Sequence, residues 1–133
     1  MKNYVWGDII KIRIKGYLKN ISTNDIIEID CFGIKSKDKI NYNFNNVKTI
    51  IKITNKELIL FRENAEFKNV LSFIENKKTL NEYYVKENGL SLEINILTNK
   101  LDVSNNFIDI IYLVEDSNVE YEYKIEMVEK KWV

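Results

Sequence analysis

The sequence predicts an all-β protein, a closed or nearly closed antiparallel meander barrel of about ten strands with no long helix. Three observations carry that reading. Apolar and polar residues alternate with period two through most of the 133 residues, the pattern of strands with one face in a core. No window places apolar residues at the i, i+3, i+4, i+7 spacing of an amphipathic helix. Short clusters rich in Asn, Asp, Ser and Lys separate the alternating runs and read as tight turns. A meander this long usually closes on itself, because closure removes the edges that invite aggregation.

The first strand runs from about Asp8 to Tyr17, with Ile10, Ile12 and Ile14 on one face and Lys11, Arg13 and Lys15 on the other. After a turn over Asn20 to Asn24, the second carries Ile27, Ile29 and Cys31 inward, and Gly33 ends it at a bulge or a close backbone approach. In the third, Ile40, Tyr42 and Phe44 alternate with Asn41 and Asn43, and Asn45-Asn46 is a turn. Strands four and five form a hairpin over Val47 to Arg62. A turn at Asn55-Lys56 pairs Ile53 with Leu58, Ile51 with Leu60 and Thr49 with Arg62. The sixth strand, near Glu66 to Ile74, places Phe67, Leu71 and Phe73 on one side. Strands seven and eight flank Asn88-Gly89, read as a two-residue type I′ turn that sets Val85 opposite Leu92 and Tyr83 opposite Ile94. A looser link begins at Thr98. Strand nine, Phe107 to Glu115, points Ile108, Ile110, Tyr112 and Val114 inward. Strand ten sets Val119, Tyr121, Tyr123, Ile125 and Met127 against a polar face of Glu120, Glu122, Lys124 and Glu126, read as solvated.

The chain is long enough for one domain over residues 1–133 with a substantial core. Its 20 basic and 20 acidic residues cancel, which argues against a dedicated nucleic-acid surface. No apolar run reaches the length of a membrane helix and no signal core opens the chain, so a cytoplasmic protein with no membrane partner is expected. Cys31 is the only cysteine, so no internal disulfide forms. The abundance of Ile, Lys and Asn fits AT-rich codons and points to a low-GC bacterium. No histidine is present, which removes the commonest general base and metal ligand. Without a phosphate loop, a Cys-x-x-Cys pair or a nucleophile elbow, the residues nominate no catalytic group, metal site or cofactor.

Spaced elements of the chain resemble the YwiB-like family of low-GC bacterial proteins. Gly33 followed by a strand ending in Tyr42 is similar to that family's Gly and Tyr pair. Val47-Lys48-Thr49-Ile50 is similar to its Val-Lys-Thr-Ile strand, followed by a strand ending in Arg62. Phe73, Tyr83 and Ile108-x-Ile110-x-Tyr112 continue the likeness over most of the chain. Two turns depart: the family's Arg-x-Gly reads Arg62-Glu63-Asn64, and its Pro-aromatic-Gly reads Lys86-Glu87-Asn88. Asn at both places is the substitute best suited to left-handed backbone. The resemblance implies a calycin-type, lipocalin-like barrel and transfers no catalytic residue, since the family has no established function.

One inward constellation is suggestive. Arg62, Thr49, Tyr42, Tyr83 and Tyr112 all fall on the predicted interior face, and barrels of this size commonly enclose a ligand cavity. An inward Arg requires a partner. Either the anionic end of a small amphipathic ligand supplies it, or backbone carbonyls at the barrel end bind the head and the Arg locks the fold. A second feature is an apolar outer face: Ile50, Ile59 and Phe61 on strands four and five, with Ile111 and Leu113 on strand nine. It is read as a homodimer interface or as a surface covered by the terminal segments that bear Trp6 and Trp132.

Overall fold

The computed structural model describes residues 9–129, and these form ten strands. They are β1 (Ile10–Asn20), β2 (Ile26–Ser36), β3 (Lys39–Phe44), β4 (Val47–Ile53), β5 (Leu58–Glu63), β6 (Phe67–Phe73), β7 (Lys78–Val85), β8 (Leu90–Val103), β9 (Phe107–Val114) and β10 (Val119–Glu129). Every strand is antiparallel to its neighbours in sequence. β1 pairs with β10 from Ile12↔Glu129 to Asn20↔Tyr121, which closes the barrel. Closure depends on Gly16: a Cβ there would stand 1.9 Å from the Lys124 carbonyl oxygen. Trp6 and Trp132 lie outside the described residues. Among those residues no helix is long and apolar enough to cross a membrane.

The β4–β5 hairpin has the expected register, with Thr49 opposite Arg62, Ile51 opposite Leu60 and Ile53 opposite Leu58. The β7–β8 register differs by two residues. Val85 faces Leu90 and Tyr83 faces Leu92, so the loop is Lys86 to Gly89. Only Gly89 has a positive φ (68°) there, whereas a type I′ turn requires two. The Asn88 side-chain oxygen instead accepts the Leu90 N–H at 3.0 Å, a local bond that competes with the tighter turn. A shift of two preserves side-chain parity, so the same residues still face inward. The two-residue turn with both φ positive occurs at Asn45-Asn46, 52° and 62°. Asn64 likewise caps rather than adopting left-handed backbone, accepting the N–H groups of Glu66 and Phe67 at 2.8 and 2.9 Å.

Three further local features differ from expectation. Gly33 lies within β2, where an added Cβ would meet the Asn41 carbonyl oxygen at 2.6 Å; it marks a close approach rather than the strand's end. β8 continues to Val103 instead of loosening at Thr98. A bulge between Thr98 and Lys100 shifts the register by one, which brings Leu101 opposite Ile110 on the inner face. Between β6 and β7 the ladder runs only to Val70↔Glu82. Beyond it, side chains replace backbone: the Asn81 carboxamide oxygen accepts the Ser72 N–H at 2.7 Å, and the Thr79 hydroxyl donates to the Ser72 carbonyl at 2.6 Å.

The interior is divided along the barrel axis. At the end holding the β2–β3, β4–β5, β6–β7 and β8–β9 turns, and just above it, Ile14, Ile40, Ile51, Leu58, Phe73, Ile108, Ile110 and Ile125 are fully buried. Each such side chain contributes about 1.5–3 kcal/mol by leaving water, which makes this half the source of stability. Towards the opposite end the inward positions change character to Tyr42, Thr49, Arg62, Asn69, Tyr83, Tyr112 and Tyr123. The cavity is there.

Candidate functional site

Register alone builds the polar tier. Following cross-strand partners around the wall, Gly33 faces Tyr42, Tyr42 faces Thr49, Thr49 faces Arg62, Arg62 faces Asn69 and Asn69 faces Tyr83. Five consecutive strands, β3 to β7, therefore each present a polar inward side chain at one level. From the far wall come Tyr112 on β9 and Tyr123 on β10. The Tyr123 hydroxyl meets that of Tyr42 across the lumen at 2.6 Å.

A cavity of about 240 Å³ lies at this tier. Tyr42, Tyr112, Tyr123, Thr49, Asn45 and Arg62 supply its polar lining, and Leu18, Ile27, Phe44, Val47, Leu60 and Leu71 much of the apolar remainder. The apolar residues nearest the open end belong to β1–β4, so the entrance is greasy on that side and cationic at Arg62. Among the described residues no Asp or Glu lines the space. The Arg62 guanidinium makes no hydrogen bond or ion pair among the described residues; its Cζ lies 6.0 Å from the centre of the Phe67 ring. Phe67 in turn stacks on Tyr83 at 5.4 Å.

Four of the five expected site residues thus converge on one cavity. Tyr83 does not line it; it stacks on Phe67 and borders a separate open recess with Ala65, Glu66, Val85, Lys86 and Glu87. Burial pushes the phenols of Tyr42, Tyr112 and Tyr123 above the ordinary tyrosine range, only partly offset by the Arg62 charge. All three remain protonated donors at neutral pH. Tyr123 and Asn69 belong to the tier as well, though the sequence reading did not select them. Asn69 is buried and its side-chain oxygen has no partner among the described residues. Counting from Arg62 through the β5–β6 turn would have found it, because it occupies the position opposite that Arg.

The outer apolar residues form two areas rather than one. Ile50 pairs with Phe61, and Ile59 sits between Lys52 and Ser72. Ile111 and Leu113 are on β9, with β6, β7 and β8 intervening. All five are half-buried.

The outer face also holds an ionisable chain. The Tyr17 hydroxyl donates to Glu122 at 2.9 Å, Glu122 meets the Asp109 carboxyl, and Lys100 donates to the other Asp109 oxygen at 2.9 Å. Glu122 is therefore engaged, not merely solvated. Among the described residues the buried Asp109 Oδ1 has no donor. A proton on Glu122 would supply one. Burial and the Asp109 contact raise the Glu122 pKa above the usual carboxylate range. Burial pushes Asp109 up too, but hydrogen bonds from Glu122 and Lys100 outweigh it and hold Asp109 low. Among the described residues no cluster of acidic and cysteine side chains is arranged to hold a metal ion.

Comparison with known proteins locates this architecture. A family model described as a domain of unknown function (DUF1934) matches residues 12–132. Among solved structures, the crystal structure of the ywiB protein from Bacillus subtilis superposes with a TM-score of 0.69 over 93% of this chain and 93% of that one. The two are 20% identical, a likeness of fold. No curated protein matches the chain significantly.

Proposed function

Because this chain belongs to the family of domains of unknown function DUF1934, whose description assigns no activity, we propose a function from the barrel itself: non-enzymatic binding of a small amphipathic molecule with an anionic end. The observation that carries the proposal is Arg62, a cation on the wall of a largely apolar cavity with no acidic partner among the described residues. A low-dielectric site strengthens the attraction of that guanidinium for an anion, and the Tyr112 hydroxyl lines the same space. The apolar lining at Leu18, Ile29, Leu60 and Leu71 suits the body of such a ligand, and the greasy entrance at Ile27, Phe44 and Val47 admits it. A cytoplasmic setting belongs to this proposal.

Native mass spectrometry of gently purified protein tests it. The expected spectrum contains a protein carrying a small organic mass, which Arg62→Met loses while staying folded. Adduct retained by Arg62→Met would remove Arg62 from the account. A ligand-free dimer that separates when Phe61 becomes charged would favour the other reading, a packed barrel acting through its outer face.

A further inference from the structure

The cavity holds enough chemical detail to narrow the ligand. Its lining contains one cation and no anion, so an ammonium head would meet uncompensated like charge from Arg62. Its donors suit a planar anion. The Arg62 fork can present two parallel N–H groups and Tyr112 one O–H, with further donors on the Tyr42–Tyr123 pair, Thr49 and Asn45. A carboxylate meets the parallel fork with both oxygens and keeps lone pairs for a hydroxyl.

Charge points the same way. A phosphate monoester carries about −1.5 to −2 at neutral pH, and a single guanidinium would leave the excess in an apolar lumen. Among the described residues the usual remedies are missing, since neither glycine backbone nor a helix N-terminus lines the cavity. Size sets the last limit. About 240 Å³ is just below the roughly 300 Å³ at which drug-sized pockets begin. It corresponds to roughly eight water volumes, room for a molecule of about ten non-hydrogen atoms.

Building on the ligand-binding reading above, we infer that the natural ligand is a compact monocarboxylic acid with an apolar body, its carboxylate on Arg62 and Tyr112. The ring or chain lies against Leu18, Ile29, Leu60 and Leu71, and the carboxylate neutralises the guanidinium.

Isothermal titration calorimetry of the whole chain at neutral pH tests this with octanoate, phenylacetate, octanol, octyl phosphate and octylamine. At least one of the two acids should bind at least tenfold more tightly than octanol, octyl phosphate or octylamine, given the usual strength of charge-assisted hydrogen bonds. Arg62→Met should weaken that acid by about tenfold or more and octanol by much less, and Tyr112→Phe should weaken the acid by about three- to tenfold. Tighter binding of octyl phosphate would overturn the carboxylate assignment and leave the ligand-binding reading standing. Octanol binding as tightly as the acids, or acids indifferent to both substitutions, would overturn recognition by Arg62. If none of the five binds, the ligand-binding reading falls and this inference with it.

Discussion

Arg62→Met separates a binding residue from a structural clasp by the sign of its effect on stability. Methionine keeps the length and apolar stem of Arg62 and removes only the charged head. Among the described residues that head makes no hydrogen bond or ion pair, so the substitution forfeits only the contact with the Phe67 ring, worth about 0.5–1 kcal/mol. Against this stand relief of the partly desolvated charge and better packing beside Leu60 and Leu71. Replacing a residue held for function at the expense of stability returns part of that stability. The net expectation is unchanged to about 1 kcal/mol greater stability, a melting temperature higher by up to about 4 °C for a chain of this size. Had the guanidinium clasped backbone carbonyls, two or three charge-assisted bonds of about 1.5–3 kcal/mol each would be lost. Urea denaturation of the ligand-free protein reads the difference. A destabilisation of more than about 2 kcal/mol would refute the reasoning and make Arg62 a structural residue.

Other substitutions test neighbouring parts of the account. Glu122→Gln supplies Asp109 Oδ1 with a permanent donor. Because the folded-state pKa of Glu122 is raised, the wild-type carboxyl contributes most at low pH and loses that contribution as pH rises from the ordinary carboxylate range through the raised value. The variant should therefore gain on the wild type as pH rises above the ordinary carboxylate range, and a difference in urea midpoint that stays flat there would dismiss the shared proton. Gly16→Ala should cost about 3 kcal/mol or more, since the Cβ would force β1 away from β10; a loss under about 1 kcal/mol in the same assay would contradict the closure geometry. Tyr42→Phe and Tyr123→Phe should each cost about 1 kcal/mol, and the double variant less than their sum, because removing both hydroxyls leaves no orphan. Strict additivity would mean that the two hydroxyls do not bond.

Strand identity was legible in the chain because period-two alternation survives any local error in a turn. The β4–β5 register followed from Asn55-Lys56, and four of five cavity residues followed from parity alone. Turn chemistry was not legible at the same level. Asn88-Gly89 and Asn45-Asn46 are both compatible with a type I′ turn, and only the competition between an Asx bond and left-handed backbone decides between them. The bulge at Thr98–Lys100 was equally hidden, since an extra residue in a strand resembles the beginning of a loop. Tyr83 failed as a lining residue for a different reason. Facing inward fixes its side of the sheet but not its height along the barrel, and its ring stacks on Phe67 beside a separate recess rather than at the cavity. The outer patch dissolved because strands distant in sequence were assigned to one surface without the ring order, which sets β5 and β9 apart.

The most direct test uses the rarity of arginine in this chain. Arg13 and Arg62 are its two arginines, so a ¹H–¹⁵N spectrum of the side-chain Nε–Hε groups holds two signals, assigned by Arg62→Met. Arg13 is bridged to Asp30 at 3.1 Å on the outer surface and serves as an internal control. On titration with a small apolar carboxylate such as octanoate or phenylacetate, the Arg62 signal should move and saturate while the Arg13 signal stays in place. An Arg62 signal that stays fixed, or that moves only together with Arg13, would contradict a ligand site inside the barrel.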